Sequence, residues 1–141
     1  MTYIPAELRH KVIELASNCC EYCRLSQDDY PFAFHMEHII SEKHDGETVF
    51  ENLALSCPTC NRFKGSDISG AGIDTGEAIF LFHPRKQKWD IHFQISGTKI
   101  EAKTPEGRLT VRLLQLNHPD QIKSRNLLIQ TNRYPCNYDS K

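Results

Sequence analysis

The first stretch of the chain places its apolar residues at helical intervals. An apolar stripe runs through residues 5–17 and consists of Leu8, Val12, Ile13, Leu15 and Ala16. Pro5 suits the first turn of a helix, because proline lacks the N–H that would be unpaired there anyway. The pattern predicts a helix that ends just before a pair of cysteines.

A strand-like pattern follows, but polar side chains interrupt it. Residues 34–40, FHMEHII, contain a carboxylate and two imidazoles within an otherwise apolar run. Residues 41–51 are polar, with Gly46 as the turn residue, and residues 53–56 are predicted as a second strand. Pro58 then begins a predicted short helix that ends at Gly65. The predicted order is strand, loop, strand, helix.

Beyond residue 65 the pattern predicts a loop, a small antiparallel sheet and two helices. The loop is expected at 66–76, strands at 77–82, 89–95 and 98–102, and helices starting near 104 and 117, the last reaching about residue 130. Within 89–95 the residues alternate, so that Trp89, Ile91 and Phe93 share one face and His92 lies on the polar face. The short basic run at 83–88, HPRKQK, is expected to be a solvated turn, with contact to a duplex backbone as the alternative.

Length and charge restrict the possible functions. A chain of 141 residues fits one domain, and no apolar run is long enough to span a membrane. The N-terminus lacks the pattern of a secretory signal, so a cytoplasmic protein is expected. Residues 1–82 hold 6 Lys and Arg against 13 Asp and Glu, whereas residues 83–141 hold 11 against 5. This asymmetry is compatible with docking of a polyanion and also with ordinary solvated surface.

The grouping of the cysteines indicates a metal site. Four of the six cysteines form two CxxC pairs, Cys20 with Cys23 and Cys57 with Cys60. Two such pairs can occupy the four corners of a closed tetrahedral zinc site, which stabilises a fold and leaves no position for a substrate. Cys19 could replace Cys20, although CxxxC is the poorer spacing. Cys136 is expected to be an incidental thiol.

Taken together, CEYC, FHMEHII and ENLALSCPTCNRFKG resemble the HNH endonuclease family in its zinc-stapled form. The resemblance covers residues 20–65 and implies a ββα-metal core within an α+β fold. We therefore expect a single HNH domain over 1–141, with its core at about 20–65 and a strand and helix extension at about 77–131.

The resemblance also implies roles for individual residues. His38 would be the general base that activates water, a role that suits imidazole because it titrates near neutral pH. Glu37 and Asn61 would bind a catalytic divalent ion, and Asn52 would tie the hairpin together and orient the base. Oxygen ligands suit Mg²⁺ or Mn²⁺. Arg62 and Lys64 could hold a neighbouring phosphate.

The implied activity is metal-dependent hydrolysis of DNA phosphodiester bonds, leaving 5′-phosphate and 3′-hydroxyl ends. RNA is a possible second substrate, and a zinc-stapled module that binds nucleic acid without cutting it is the alternative function. In a regular strand, Glu37 and His38 would point to opposite faces. We therefore expect the strand to end, bend or bulge between Met36 and Ile39.

Overall fold

The computed structural model describes residues 2–137, which form five α-helices and six short strands. The helices are α1 Ala6–Leu15, α2 Pro58–Lys64, α3 Trp89–His92, α4 Pro105–Leu113 and α5 Pro119–Gln130. The strands are β1 His35–His38, β2 Leu53–Ser56, β3 Ser69–Ala71, β4 Ala78–Phe80, β5 Phe93–Ser96 and β6 Lys99–Ala102. They pair as three antiparallel two-stranded sheets, β1–β2, β3–β4 and β5–β6. The α+β prediction is confirmed. No helix among the described residues is both long and apolar enough to cross a membrane.

The β1–β2 hairpin and α2 form the predicted strand, strand, helix unit. His35 pairs with Ser56 and His38 with Leu53, so the register is regular from end to end. All four residues of β2 are buried, because the strand lies beneath α1 while α2 packs on β1. The Cys57 sulfur caps the start of α2 by accepting a hydrogen bond from the Cys60 N–H, and Gly65 ends the helix with φ +51°. The hairpin therefore places Glu37 and His38 at the end of β1.

The C-terminal extension packs against this unit through buried polar contacts as well as apolar ones. Arg85 forms an ion pair with Glu21, with 2.5 Å between Nη1 and Oε1, and both side chains are almost fully buried. The Trp89 indole N–H donates to the Tyr22 carbonyl at 2.9 Å. The basic run at 83–88 is therefore not a uniformly solvated turn. Its arginine joins the extension to the first CxxC pair.

Two element predictions were wrong. Residues 89–92 form a short helix rather than the start of a strand, because Trp89 and His92, three positions apart, both face the interior. His92 is consequently buried instead of lying on a polar strand face, and Ile91 is exposed. The predicted loop at 66–76 contains β3, which pairs with β4. A side chain at Gly70 would meet the Leu109 methyl group at 2.9 Å, so glycine allows this close approach.

Cys136 is not an incidental thiol, because it forms a disulfide bond with Cys19. This bond also excludes Cys19 as a substitute for Cys20 in the metal site. The Cys136 N–H donates to the Arg24 carbonyl, and the Tyr134 hydroxyl donates to the Cys23 carbonyl at 2.6 Å. The segment around Tyr134 and Cys136 therefore lies against the first CxxC pair.

Candidate metal centre and active site

Four buried thiols converge between the start of α2 and the turn that follows α1. The sulfur atoms of Cys20, Cys23, Cys57 and Cys60 all lie within 4.8 Å of one another. Two thiolates bound to one tetrahedral zinc ion at about 2.3 Å would be about 3.8 Å apart, and Cys23 Sγ lies 3.7 Å from Cys57 Sγ. The donor set and its spacing therefore fit zinc, and the predicted four-cysteine site is confirmed as a possible metal site.

The thiols of this cluster share their protons unequally. Burial alone would raise the pKa of the Cys20 thiol, but hydrogen bonds from Cys23, Cys57 and Cys60 lower it well below its ordinary value. Hydrogen bonds to the Cys20 and Cys23 sulfur atoms raise the pKa values of Cys57 and Cys60 well above their ordinary values, because they favour the protonated thiols. A bound cation would favour the deprotonated form of all four cysteines, since they bind a metal as thiolates.

His38 occupies the last position of β1 and is partly exposed. Its Nε2 lies 2.9 Å from the Thr48 hydroxyl oxygen, which fixes the ring by a hydrogen bond. The chain bends at Ile39 and Ile40 directly after it. β1 ends after His38, but its pairing with β2 is regular through both Glu37 and His38, so the bend or bulge expected to bring these two side chains to one face is absent.

Asn52 closes the loop that carries Thr48. Its side-chain carbonyl accepts a hydrogen bond from the Ile40 N–H, and its amide donates to the carbonyls of Ile40 and Glu47. These three bonds satisfy backbone groups on both sides of the loop. Gly46 completes the closure, since a Cβ there would lie 1.7 Å from the Ile40 carbonyl oxygen. Asn52 and Gly46 together hold the bend that follows His38.

Glu37 faces the opposite side of the hairpin and is buried. Its Oε1 lies 2.6 Å from Lys64 Nζ, and its Oε2 accepts a hydrogen bond from the Tyr22 hydroxyl at 2.6 Å. Burial raises the pKa of the Glu37 carboxyl, and Lys64 and Tyr22 offset only part of that rise. Burial also raises the pKa of Tyr22 well above its ordinary value, so that its hydroxyl remains a donor.

The oxygen ligands expected for a catalytic divalent ion lie on facing elements. Asn61 and Lys64 are three positions apart and share one face of α2, and Lys64 reaches Glu37 from that face. Among the described residues no donor is aligned for a hydrogen bond to Glu37 Oε1, although the Lys64 ammonium lies close to it. The chemistry of Glu37 and Asn61 therefore fits a hard cation, which would compete with Lys64 for the carboxylate.

Lys64 does not occupy the position predicted for a phosphate contact. It is 1% exposed, and besides its ion pair it donates to the Ile39 carbonyl at 2.9 Å. The Lys64 ammonium therefore interacts inside the protein, with the Glu37 carboxylate and with the backbone at the bend after His38. Arg62 is exposed on the same helix, as a contact to phosphate requires.

The remaining histidines have separate surroundings. His35 is exposed at the start of β1, and His44 is exposed in the loop that follows the hairpin's first strand. His92 donates to or accepts from the Thr104 hydroxyl at 2.6 Å and packs against Phe82 and Phe93. His92 is thus a buried structural residue of the extension.

Sequence reasoning missed three residues of this site. Thr48 contacts His38, Tyr22 contacts Glu37, and Arg85 contacts Glu21. Thr48 stands in a polar loop with no pattern to distinguish it from other loop residues. Tyr22 lies inside the CEYC motif, but its hydroxyl contact depends on tertiary packing.

Comparison with known families identifies the segment that carries the site. Residues 20–67, about a third of the chain, match the model of the HNH endonuclease family. Searches of curated proteins and of solved structures gave no significant match. The matched segment contains both CxxC pairs, the β1–β2 hairpin and α2. The resemblance found in the sequence is thereby confirmed, and residues 20–67 are similar to the HNH endonuclease family.

Proposed function

We propose that this protein is an endonuclease that hydrolyses DNA phosphodiester bonds, with His38 as the general base. The observation that carries the proposal is the position of His38 within the HNH segment. Its imidazole is partly exposed, fixed by Thr48 and placed just before a bend that Asn52 closes. A base held in one orientation at the protein surface can reach a water molecule beside a docked phosphate.

In the proposed reaction, His38 takes a proton from water as the water oxygen bonds to phosphorus. The bond from phosphorus to the 3′ oxygen breaks, and that oxygen receives a proton from solvent. The products are a 5′-phosphate and a 3′-hydroxyl end. The exposed guanidinium of Arg62 is placed to bind a neighbouring phosphate.

The proposal includes a divalent ion held by Glu37 and Asn61. Such an ion supplies positive charge that stabilises the phosphate as negative charge grows on it. The support lies in the ligand chemistry of these two side chains and in the facing elements that carry them. Zinc in the four-cysteine site would have a structural role only, because that shell has no open position.

A supercoiled plasmid tests the proposal. The purified protein is incubated with Mg²⁺, with Mn²⁺ or with no added divalent ion, and nicked and linear products are measured on a gel. We expect cleavage that requires the added ion and falls about 10²–10⁴-fold in His38→Ala. The matched control is His10→Ala, which removes an exposed histidine of α1. Equal cleavage by both variants would contradict the assignment of the base.

A binding module that does not cut is the second candidate, and one observation favours it. Lys64 already neutralises the buried Glu37 carboxylate, as expected of a domain that has lost its divalent ion. This candidate predicts that the plasmid is retarded on a gel but stays supercoiled with either metal. Its binding should weaken steeply as salt rises, because contacts to phosphate release counterions.

A further inference from the structure

A cavity lies between the bend after His38 and the C-terminal extension. Its volume is about 360 Å³, within the range of about 300–1,000 Å³ that is common for sites of small organic groups. Its apolar walls include Ile39, Ile68, Leu81 and Phe82. The HNH segment and the extension both contribute residues to this cavity, and no step of the proposed reaction uses the cavity.

An exposed aromatic ring stands at the edge of this cavity. Phe80 on β4 is 70% exposed, and Ile40 beside it is also exposed. A phenylalanine ring that is this exposed adds little to the stability of the fold. Beside an apolar cavity, however, an exposed ring can stack against the flat face of another ring. Aromatic side chains stack on unpaired nucleobases in this way.

The polar end of the cavity presents hydrogen-bond donors. Lys86 is exposed there and carries an ammonium group. Gln87 Oε1 accepts a hydrogen bond from the His83 N–H at 2.8 Å, so that its amide nitrogen is left to donate. His83 Nδ1 accepts from the Arg85 N–H at 3.2 Å, which leaves Nε2 as the donor of the neutral ring. Burial lowers the pKa of His83, with smaller contributions from Lys86 and Arg85, and this favours the neutral ring.

The cavity adjoins the proposed active site through the backbone. Ile39 and Ile40 line it and directly follow His38. The Cα atoms of His38 and Ile40 are therefore at most about 7 Å apart, which places this wall of the cavity next to the backbone of His38. Lys64 touches both regions, since it lines the cavity and pairs with Glu37.

We propose that this cavity receives an unpaired nucleobase of the DNA substrate, next to the phosphate at His38. The base stacks on Phe80, and its acceptor atoms face Lys86, His83 and Gln87. This inference rests on the proposed function and adds a preference for DNA that contains an unpaired or unstacked base. Nucleobases are rich in carbonyl and ring-nitrogen acceptors, which matches a cavity end made of donors.

The test measures binding with three labelled DNA molecules by fluorescence anisotropy. One is a fully paired duplex, one carries a single unpaired base, and one carries an abasic residue at the same place. The His38→Ala protein is used so that no strand is cut. We expect the duplex with the unpaired base to bind about tenfold more tightly than the other two. Equal affinity for the base and the abasic residue would overturn the proposal, as would no binding to any of the three.

Variants at Phe80 separate stacking from general attraction. In the same background, Phe80→Ala should lose about tenfold in affinity for the unpaired base alone, and Phe80→Tyr should retain it. Phe32→Ala is the matched control, since Phe32 is also 70% exposed but contacts Tyr30 elsewhere. Identical behaviour of Phe80→Ala and Phe32→Ala would overturn the proposal.

The outcomes distinguish this proposal from the nuclease activity. Plasmid cleavage without any preference for the unpaired base overturns the cavity's role and leaves the nuclease intact. A preference that depends on Phe80, in a protein that cuts no plasmid, supports the cavity's role while the proposed activity fails.

Discussion

At the scale of single residues, the contact between His38 and Thr48 decides where the imidazole points. The ring stands at the last position of β1 and is partly exposed, and the Thr48 hydroxyl lies within hydrogen-bonding distance at 2.9 Å. Thr48 itself belongs to the loop that Asn52 closes through three backbone contacts. The orientation of the His38 ring therefore depends on a polar loop rather than on the core.

Replacing Thr48 tests this dependence. We expect Thr48→Val to lower kcat of plasmid cleavage by up to about tenfold, because one hydrogen bond of about 0.5–1.5 kcal/mol is lost. The substitution keeps the shape of the side chain, so KM should change little. Thr48→Ser keeps the hydroxyl and should retain most of the activity. A valine variant as active as the wild type would show that other contacts hold His38.

The sequence identifies residues of one chemical type that recur at the spacing of a known motif. It does not identify residues whose contacts depend on tertiary packing. The four thiols were predictable because two CxxC pairs have few other uses. The prediction that Lys64 contacts phosphate was wrong, because in the sequence a lysine that follows a cysteine pair looks like an exposed charge. Only the fold shows that Glu37 lies opposite it and makes burial possible. The roles of His38, Asn52 and Asn61 in catalysis stay predictions.

At the scale of elements, one buried ion pair connects β1 to α2. Glu37 and Lys64 are 3% and 1% exposed, and Lys64 also binds the Ile39 carbonyl. Removing one charge of such a pair leaves the other buried without compensation. The pair therefore links the strand that carries His38 to the helix that carries Asn61.

We expect Lys64→Met to lower the free energy of unfolding by roughly 3–5 kcal/mol, measured by urea denaturation with zinc present. Arg62→Met is the matched control on the same helix, where the arginine is exposed and the change should be small. Adding Glu37→Gln to Lys64→Met should restore part of the loss. Equal stability of the two single variants would show that the ion pair contributes nothing.

Element boundaries were predictable where one local pattern dominates. The helix at α1 and the strand β2 follow directly from apolar spacing and from the cysteine pair that succeeds β2. The segment at 89–92 departs from its alternating pattern because tertiary contacts decide it. The Trp89 indole reaches Tyr22, and Gly107 packs so closely that a Cβ would lie 2.4 Å from the His92 carbonyl oxygen.

At the scale of the whole molecule, a disulfide between Cys19 and Cys136 ties together positions 117 residues apart. Closing so long a loop restricts the unfolded chain strongly, and the chain-entropy account assigns about 4–5 kcal/mol to loops near 100 residues. No sequence pattern pairs these two cysteines, since Cys19 directly precedes the first CxxC pair and Cys136 stands alone 117 residues further on. The single-domain organisation and the cytoplasmic location stay predictions, and disulfides are uncommon in reducing compartments.

The double variant Cys19→Ser/Cys136→Ser tests this contribution. We expect it to lose about 4 kcal/mol of stability relative to the oxidised wild type, measured by denaturant unfolding. Its zinc content should be unchanged, because the four ligands of the metal site are other cysteines. Wild type treated with a reducing agent should unfold at the same denaturant concentration as the variant. Identical stability of the variant and the oxidised wild type would contradict the prediction.

The ion pair between Glu21 and Arg85 has a consequence for the order of events on the ribosome. All four cysteines of the metal site have been synthesised once residue 60 is made, but Arg85 follows 25 residues later. At typical elongation rates this delay is about 1–5 seconds. During that interval the Glu21 carboxylate, which is buried in the finished protein, lacks its guanidinium. The HNH segment can thus bind its metal while still emerging, yet it reaches its final packing only when the extension arrives.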